Sequence, residues 1–175
     1  MNAVEIFDSS NTQIVTPELM RQKVVALQDE LLQMPQANIV TTHTFLPGVY
    51  ERKITVPPWT VLTGAAHKTE YRVRLEKGAI AVNRETEVVL LVAPYEFDAK
   101  AGEQRAGRVF DQEVVWVDIY DNPDNCENLE TLEERLYVVP ECGLGDARKR
   151  LSLTNETEGE MLWLDGQQQQ LQVAP

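Results

Sequence analysis

Apolar side chains near the start of the chain recur with helical spacing. Between residues 17 and 34 they return every three or four positions, which places one apolar stripe along a helix, and Pro35 follows. Thr16, Pro17 and Glu18 supply an N-cap, a proline at the first helical position and an acid in the first turn. We therefore predict an amphipathic helix over residues 17–34 that packs on the rest of the protein or on a partner copy.

From residue 38 the apolar positions alternate instead, and turn-forming residues separate the runs. The alternation predicts strands at residues 39–45, 49–56, 59–63, 70–76, 79–82, 87–92 and 113–120. Further β-type runs lie around residues 64–71 and 94–105. So many short strands with few helices predict an all-β sandwich or barrel.

Two of these strands allow a prediction of their surroundings. In residues 70–76, Tyr71, Val73 and Leu75 alternate with charged residues, so we expect an apolar face in the barrel and a charged face towards solvent or another chain. Residues 88–92 are uniformly apolar. We therefore predict a central strand there rather than a half-exposed edge strand.

The pattern divides the chain into four parts. Residues 1–37 form an N-terminal arm with the amphipathic helix, and residues 38–122 form the β-barrel. Residues 123–140 hold a short acidic helix, at about 127–137. Residues 141–175 read as an extended polar tail, which needs another surface to be ordered.

Both terminal arms contain a short apolar run of β type. These runs, at residues 4–7 and 161–164, are too small to form a core but suit the addition of a strand to an exposed sheet edge. We therefore predict a homo-oligomer that assembles through its arms. A chain that ends at Pro140 should keep a folded barrel and lose that assembly.

Composition narrows the class of protein. The 175 residues, 43% hydrophobic and 25% charged, suit one globular domain with appended segments. A formal net charge of −12 argues against a nucleic acid or an anionic membrane as partner, and the basic run at residues 148–150 is short and flanked by acids. We expect no signal peptide, no membrane span and reduced thiols at Cys126 and Cys142.

Two stretches resemble the paired motifs of the cupin barrel. The first cupin motif has a glycine, a His-x-His pair, a glutamate and a closing glycine, and the second has Pro-x-Gly followed by a histidine. Here His67 stands at the second histidine and Tyr71 at the glutamate. Lys100 and Gly102 replace Pro-x-Gly, and Arg105 stands at the last histidine. The resemblance implies a cupin-type jelly-roll barrel with an N-terminal helix, a short C-terminal helix and an extended tail.

A longer block, residues 46–137, looks like the small cupin-like proteins encoded in tailed-phage genomes. It contains Leu46-Pro47-Gly48-Val49-Tyr50, Gly64 with His67-Lys68-Thr69-Glu70, Lys77-Gly78, Ala101-Gly102 with Arg105, Val114-Val115-Trp116, and Leu129-Glu130 with Leu132-Glu133-Glu134. The resemblance implies a non-catalytic virion component, such as a decoration, tail or adaptor subunit. Its partners would be further copies and other phage structural proteins. Its location would be the virion, or otherwise the host cytoplasm.

The resemblance also bears on a metal site. Relatives can carry histidines at the positions of His67, Tyr71 and Phe110, and only His67 remains here. A cupin metal site needs about three imidazole or carboxylate ligands, so we expect no metal and no other cofactor. If a metal were bound, the candidate ligands would be His67, Glu70, Gln104 and His43, although alternation puts Glu70 on the face opposite Tyr71.

Arg105 leaves a second function open. An arginine in a barrel mouth can bind a carboxylate or phosphate, and with His67, Tyr71 and Trp116 it would make a pocket for a small anionic ligand. Alternatively, Arg105 pairs with an acid at the rim, such as Glu70 or Glu103. The alternative function is thus a cupin enzyme or binding protein, with or without a metal. No phosphate loop, HExxH or GxSxG motif supports a particular reaction.

Overall fold

The structure of the protein is a computed structural model, and it describes residues 14–138 and 169–172. These residues form two α-helices and ten β-strands. In chain order they are α1 (Pro17–Leu31), β1 (Val40–Leu46), β2 (Gly48–Val56), β3 (Thr60–Thr63), β4 (Tyr71–Lys77), β5 (Ala79–Arg84), β6 (Glu87–Val92), β7 (Tyr95–Ala99), β8 (Ala106–Val109), β9 (Val114–Asn122), α2 (Leu129–Leu136) and β10 (Gln169–Gln172).

The strands form two antiparallel sheets that enclose one core. The first sheet has the order β1-β2-β9-β4-β7, and the second has the order β10-β3-β8-β5-β6. Without the outer strands β1 and β10, eight strands remain in two sets of four, as in a jelly roll. The all-β jelly-roll prediction, with an N-terminal and a short C-terminal helix, is confirmed.

Strand β4 follows the predicted alternation. Tyr71, Val73 and Leu75 are buried in the core, whereas Arg72 and Arg74 point outwards. Side chains in a strand alternate between its two faces, so the sequence pattern alone fixed which face packs inside. On its outer face, β4 forms ion pairs with β2 and β7.

The position predicted for residues 88–92 is wrong. They belong to β6, which is an edge strand of the second sheet and pairs only with β5 among the described strands. Leu91 is buried, but Val88, Leu90 and Val92 point outwards with 68%, 59% and 57% of their surface exposed. Uniform apolarity predicted burial on both faces, whereas the fold buries one face and leaves the other apolar face open.

The first helix begins at the predicted cap, and the second lies within the predicted range 127–137. The Oγ1 atom of Thr16 accepts a hydrogen bond from the backbone N–H of Leu19, and α1 packs beside β3 with Val24 and Leu31 buried. The helix ends at Leu31, three residues earlier than predicted. Asn128 caps α2 by accepting a hydrogen bond from the backbone N–H of Thr131.

Several predictions fall outside the described residues. These are the arm up to residue 13, the apolar run at 161–164, the basic run at 148–150, and Cys142. Of the tail, only β10 is described, and it pairs with the edge of β3. Cys126 is a free, half-buried thiol. No helix among the described residues has the length and apolar character that crossing a membrane requires.

Candidate ligand-binding cavity

A cavity of about 60 Å³ lies between the two sheets, inside the barrel. Strands of the first sheet and of the second sheet both contribute to its wall, together with the loops that precede β4 and β8. The wall is mostly apolar, but His67, Tyr71, Arg105, Trp116 and Asp118 also line it. The four residues predicted to bind a ligand, His67, Tyr71, Arg105 and Trp116, are therefore brought together around one cavity.

His67 is held by aromatic neighbours on several sides. Its ring centroid lies 3.9 Å from that of Tyr71, and its Nε2 atom is 2.9 Å from the hydroxyl of Tyr120. Its backbone pairs with Tyr137, just after α2. Burial, with the nearby charges of Arg105 and Arg52, lowers its pKa from 6.5 to about 3, so the imidazole is neutral at physiological pH.

The other ring nitrogen of His67 has no hydrogen-bond partner. Nδ1 is buried and unpaired among the described residues. A neutral imidazole donates from one nitrogen and accepts at the other, so Nδ1 offers either role, depending on the tautomer. This atom is a place where a bound molecule could form a hydrogen bond.

Arg105 lies just before β8 and has three neighbours. Nη1 donates to the hydroxyl of Tyr71 at 2.7 Å, Nη2 donates to the carboxylate of Glu103, and the guanidinium lies 5.2 Å from the centroid of the Phe97 ring. The acid pairing considered from sequence is therefore present, with Glu103 rather than Glu70. The Nε–H donor remains buried without a partner among the described residues.

Asp118 completes the polar wall and Arg52 lies beside it, and the sequence analysis identified neither residue. The indole N–H of Trp116 donates to Oδ1 of Asp118 at 2.7 Å, and Nη1 of Arg52 lies 3.9 Å from Oδ2. Burial raises the pKa of the Asp118 carboxyl, although the charge of Arg52 opposes the shift. The sequence did contain a signal for Asp118. Trp116, Asp118 and Tyr120 are spaced two residues apart, which places the acid on the same face of the strand as the two aromatic side chains.

Two tyrosines behind His67 were also missed. The hydroxyl of Tyr120 lies 3.3 Å from that of Tyr137, and burial raises the pKa of both phenols, to about 12 for Tyr137. Tyr137 reaches this position because the backbone N–H of Val138 donates to Ala66, which ties the end of α2 to the loop before His67. This long-range contact leaves no periodic signal in the sequence.

The candidate metal ligands are not brought together. Glu70 is exposed at the start of β4, and Nε2 of Gln104 donates to Oε1 of Gln28 and to the carbonyl oxygen of Gly64. His43 lies on β1 and hydrogen-bonds to Tyr50. Within residues 14–138 and 169–172, no three His, Cys, Asp or Glu side chains form a group that could hold a metal ion.

Among known proteins, similarity to this chain is found in solved structures. No protein-family model and no curated protein sequence matches the chain. Among solved structures, the cupin-2 domain of an XRE-family transcriptional regulator from Enterobacter cloacae matches with a TM-score of 0.44 and 14% identity, over 50% of this chain and 99% of that one.

Two other solved structures give similar values. A cupin domain from Bordetella pertussis matches with a TM-score of 0.41 and 17% identity, over 51% of this chain and 98% of that one. A cupin-2 domain protein from Shewanella frigidimarina matches with 0.40 and 12%, over 59% and 99%. The jelly-roll topology of the barrel follows from the strand order of this chain itself.

Proposed function

We propose that the protein is a non-catalytic binding protein that holds a small anion, such as a short carboxylate, inside its barrel. The observation that carries this proposal is a pair of buried, unpartnered polar atoms, Nε of Arg105 and Nδ1 of His67, on two residues that line the cavity. A buried polar group without a partner costs about 1–3 kcal/mol. A ligand that pairs with both atoms recovers that free energy on binding.

The donor set suits an oxyanion. Arg105 supplies a cationic N–H, and charge-assisted hydrogen bonds to carboxylates are among the strongest in proteins. The hydroxyl of Tyr71 accepts a hydrogen bond from Arg105 and keeps its own hydrogen to donate. Neutral His67 can donate from Nδ1 in the tautomer that carries the proton on that nitrogen. Three residues that line the cavity thus offer hydrogen-bond donors.

The size of the cavity limits the ligand. Its volume of about 60 Å³ is well below the roughly 300–1,000 Å³ of pockets for drug-sized molecules. One water needs about 10–15 Å³ on the same measure, so the space holds a few waters or a molecule of a few heavy atoms. Acetate, formate and inorganic phosphate are therefore suitable probes.

Glu103 competes with such a ligand. Its carboxylate already binds Nη2 of Arg105, and its side chain is 21% exposed, so it can turn towards solvent. A ligand carboxylate that takes both Nε and Nη2 displaces Glu103. Replacing Glu103 by glutamine should therefore tighten anion binding.

Calorimetric titration with acetate, formate and phosphate tests this proposal. We expect Arg105→Gln to weaken binding by about tenfold or more, because a hydrogen bond to a charged group is worth about 1.5–3 kcal/mol. Arg72→Gln is the matched control, since Arg72 lies outside the barrel on β4 with its side chain 61% exposed. If the unmodified protein binds none of the three anions, or if Arg72→Gln weakens binding as much as Arg105→Gln, the proposal is wrong.

A second candidate function is that of a virion structural component that assembles through its terminal arms with further copies and other phage structural proteins. The small cavity and the open apolar edge of β6 favour this role, together with the sequence resemblance to phage-encoded proteins. Mass spectrometry of purified particles tests it: the protein should be present in stoichiometric amounts. Its absence from particles, or an unchanged assembly after truncation at Pro140, would count against it.

A further inference from the structure

The cavity wall carries an acid as well as the donors that suit an anion. Asp118, on β9, is buried with 6% of its surface exposed, and it lines the same cavity as Arg105 and His67. Burial raises the pKa of its carboxyl, and the charge of Arg105 is among the influences that oppose this shift. Because the space is only about 60 Å³, a molecule that binds Arg105 also lies near Asp118.

The carboxylate of Asp118 can accept a further hydrogen bond. An ionised carboxylate has about four acceptor positions on its two oxygens. Oδ1 accepts from the indole N–H of Trp116 at 2.7 Å, and the hydroxyl of Tyr120 contributes a further hydrogen bond. Nη1 of Arg52 lies 3.9 Å from Oδ2, which is longer than an ordinary N–H···O hydrogen bond. Even if all three neighbours are counted, one acceptor position remains for a bound molecule.

A simple oxyanion leaves Asp118 next to a like charge. A carboxylate bound at Arg105 brings a second negative charge into a small, buried space, where the low dielectric strengthens its repulsion from Asp118. A hydroxyl group on the ligand reverses this contact, because it donates a hydrogen bond to the acid. An ammonium group would also donate, but it would add a cation beside Arg52 and Arg105. A neutral hydroxyl therefore suits this wall best.

We propose that the ligand of this cavity is a short 2-hydroxy carboxylate, whose oxyanion binds Arg105 and His67 and whose hydroxyl donates to Asp118. This inference rests on the anion-binding function proposed above and narrows its class of ligand. Glycolate is the smallest such molecule, with one heavy atom more than acetate and as many as phosphate, so it meets the size limit of the cavity. Asp118 is then the residue that determines specificity within the site.

Calorimetric titration of the full chain with glycolate, propionate and glycine tests this class of ligand. Propionate is the matched control, because a methyl group of similar size replaces the hydroxyl of glycolate. We expect glycolate to bind about tenfold more tightly than propionate, which is the effect of one hydrogen bond to a charged group. Glycine should bind more weakly than glycolate. This comparison uses the unmodified protein, so it decides the question even where an Asp118 variant does not fold.

The variant Asp118→Asn tests the residue itself. Asparagine keeps the size of the side chain and an acceptor for the indole N–H of Trp116, but it removes the charge. The preference for glycolate over propionate should fall to about threefold, the effect of an uncharged hydrogen bond. Acetate should bind more tightly, because a negative charge has left the cavity wall. The control is Asp98→Asn, on the outer face of β7 with its side chain 84% exposed, which should leave every affinity unchanged.

The possible outcomes separate this inference from the function on which it rests. If acetate, glycolate and propionate all fail to bind, the anion-binding function is wrong, and so is this class of ligand. Equal binding of glycolate and propionate, or tighter binding of glycine than of glycolate, overturns the class of ligand and leaves the anion-binding function standing. A joint loss of acetate and glycolate binding in folded Asp118→Asn also overturns it, because that result assigns Asp118 a structural role.

Discussion

The two sheets of the barrel differ in what they present to water. The outer face of the first sheet carries a network of ion pairs. Arg74 binds Glu51 on β2 and Glu76 on its own strand, and Lys53 on β2 also binds Glu76. The outer edge of the second sheet carries exposed apolar side chains instead, on Val88, Leu90 and Val92. Charged side chains on the outer face of the first sheet pair with one another, whereas no further strand among the described residues covers the outward apolar side chains of β6.

The same difference appears inside the barrel. The first sheet supplies the polar wall of the cavity through Tyr71, Trp116 and Asp118, whereas the second supplies an apolar wall through Leu62, Ile80, Val82 and Gly107. Arg105, at the entry to β8, is the polar exception on that side. One sheet therefore carries most of the proposed ligand chemistry, and the other carries the exposed apolar edge of β6.

The largest expected effect comes from the inner face of the first sheet. Asp118→Ala removes the acid beside Arg52 and the acceptor of the Trp116 indole N–H. Removing one member of a buried ion pair costs about 3–5 kcal/mol, because the remaining charge stays desolvated. Urea unfolding should show this loss for Asp118→Ala and a change near zero for Asp98→Ala, whose side chain is 84% exposed. Equal losses of unfolding free energy in the two variants would show that the buried inner face of the first sheet is no more sensitive than its exposed outer face.

A second prediction concerns pH and His67. The pKa of His67 is about 3 in the folded protein and near 6.5 when the chain unfolds, so between these values only the unfolded chain binds the proton. Stability should therefore fall as the pH drops below about 6.5, by roughly 1.4 kcal/mol per pH unit from this group. The free energy of unfolding of the protein and of His67→Gln is measured at a series of pH values from about pH 7 to about pH 5. Its slope against pH should be steeper for the unmodified protein by that amount. Parallel slopes would contradict the neutral, buried state of His67.

The fold was predictable to a large extent because alternation reports directly on burial. The Tyr71, Val73 and Leu75 face of β4 packs inside as the pattern indicated. The short strand β7 lay within the run at 94–105 that was recognised as β-type, whereas β8 follows that run and was not predicted. The four-residue β8 contains Gly107, and a glycine carries no side chain to reveal an inward face. The edge position of β6 depends on sheet order, which local periodicity does not contain.

Apart from Trp116, the candidate site was predictable only at the positions of the two cupin motifs. His67, Tyr71 and Arg105 follow from motif positions, and they do line one cavity. Asp118 was missed because the strand around it was interpreted from its apolar residues. Its spacing from Trp116 and Tyr120 nevertheless indicated an inward side chain. Tyr137 joins the site through contacts between the end of α2 and residues 66–68, far apart in sequence. Such contacts depend on packing.

A third prediction tests the apolar wall of the second sheet. A Cβ atom at Gly107 would lie 2.8 Å from Cδ1 of Ile80 and 3.2 Å from Cδ2 of Leu62, so Gly107→Ala forces these side chains to move. Overpacking of this kind costs about 1–3 kcal/mol, and the displaced methyl groups take up cavity space. Anion binding should weaken together with stability. Gly64→Ala is the control, because its Cβ would meet only the Arg105 carbonyl oxygen, at 3.9 Å.

The smallest expected effect lies on the outer face of the first sheet. Arg74 lies beside Val117 in the strand register, Lys53 lies on its other side, and Val117 has no exposed surface. The aliphatic part of Arg74 therefore covers an apolar residue while its guanidinium binds two carboxylates. Together with Lys53, it holds the pKa of Glu76 below its usual value.

We expect Arg74→Ala to cost about 1 kcal/mol, since exposed ion pairs contribute little alone and more within a network. Arg72→Ala should cost less, because Arg72 has a single partner, Asp98, at 3.5 Å on a more exposed surface. Raising the salt concentration should reduce the electrostatic part of the Arg74 loss and leave the part due to uncovering Val117. Urea unfolding at low and high salt separates the two parts. A loss that vanishes completely in high salt would show that the outer face is held by charge alone, without apolar cover over Val117.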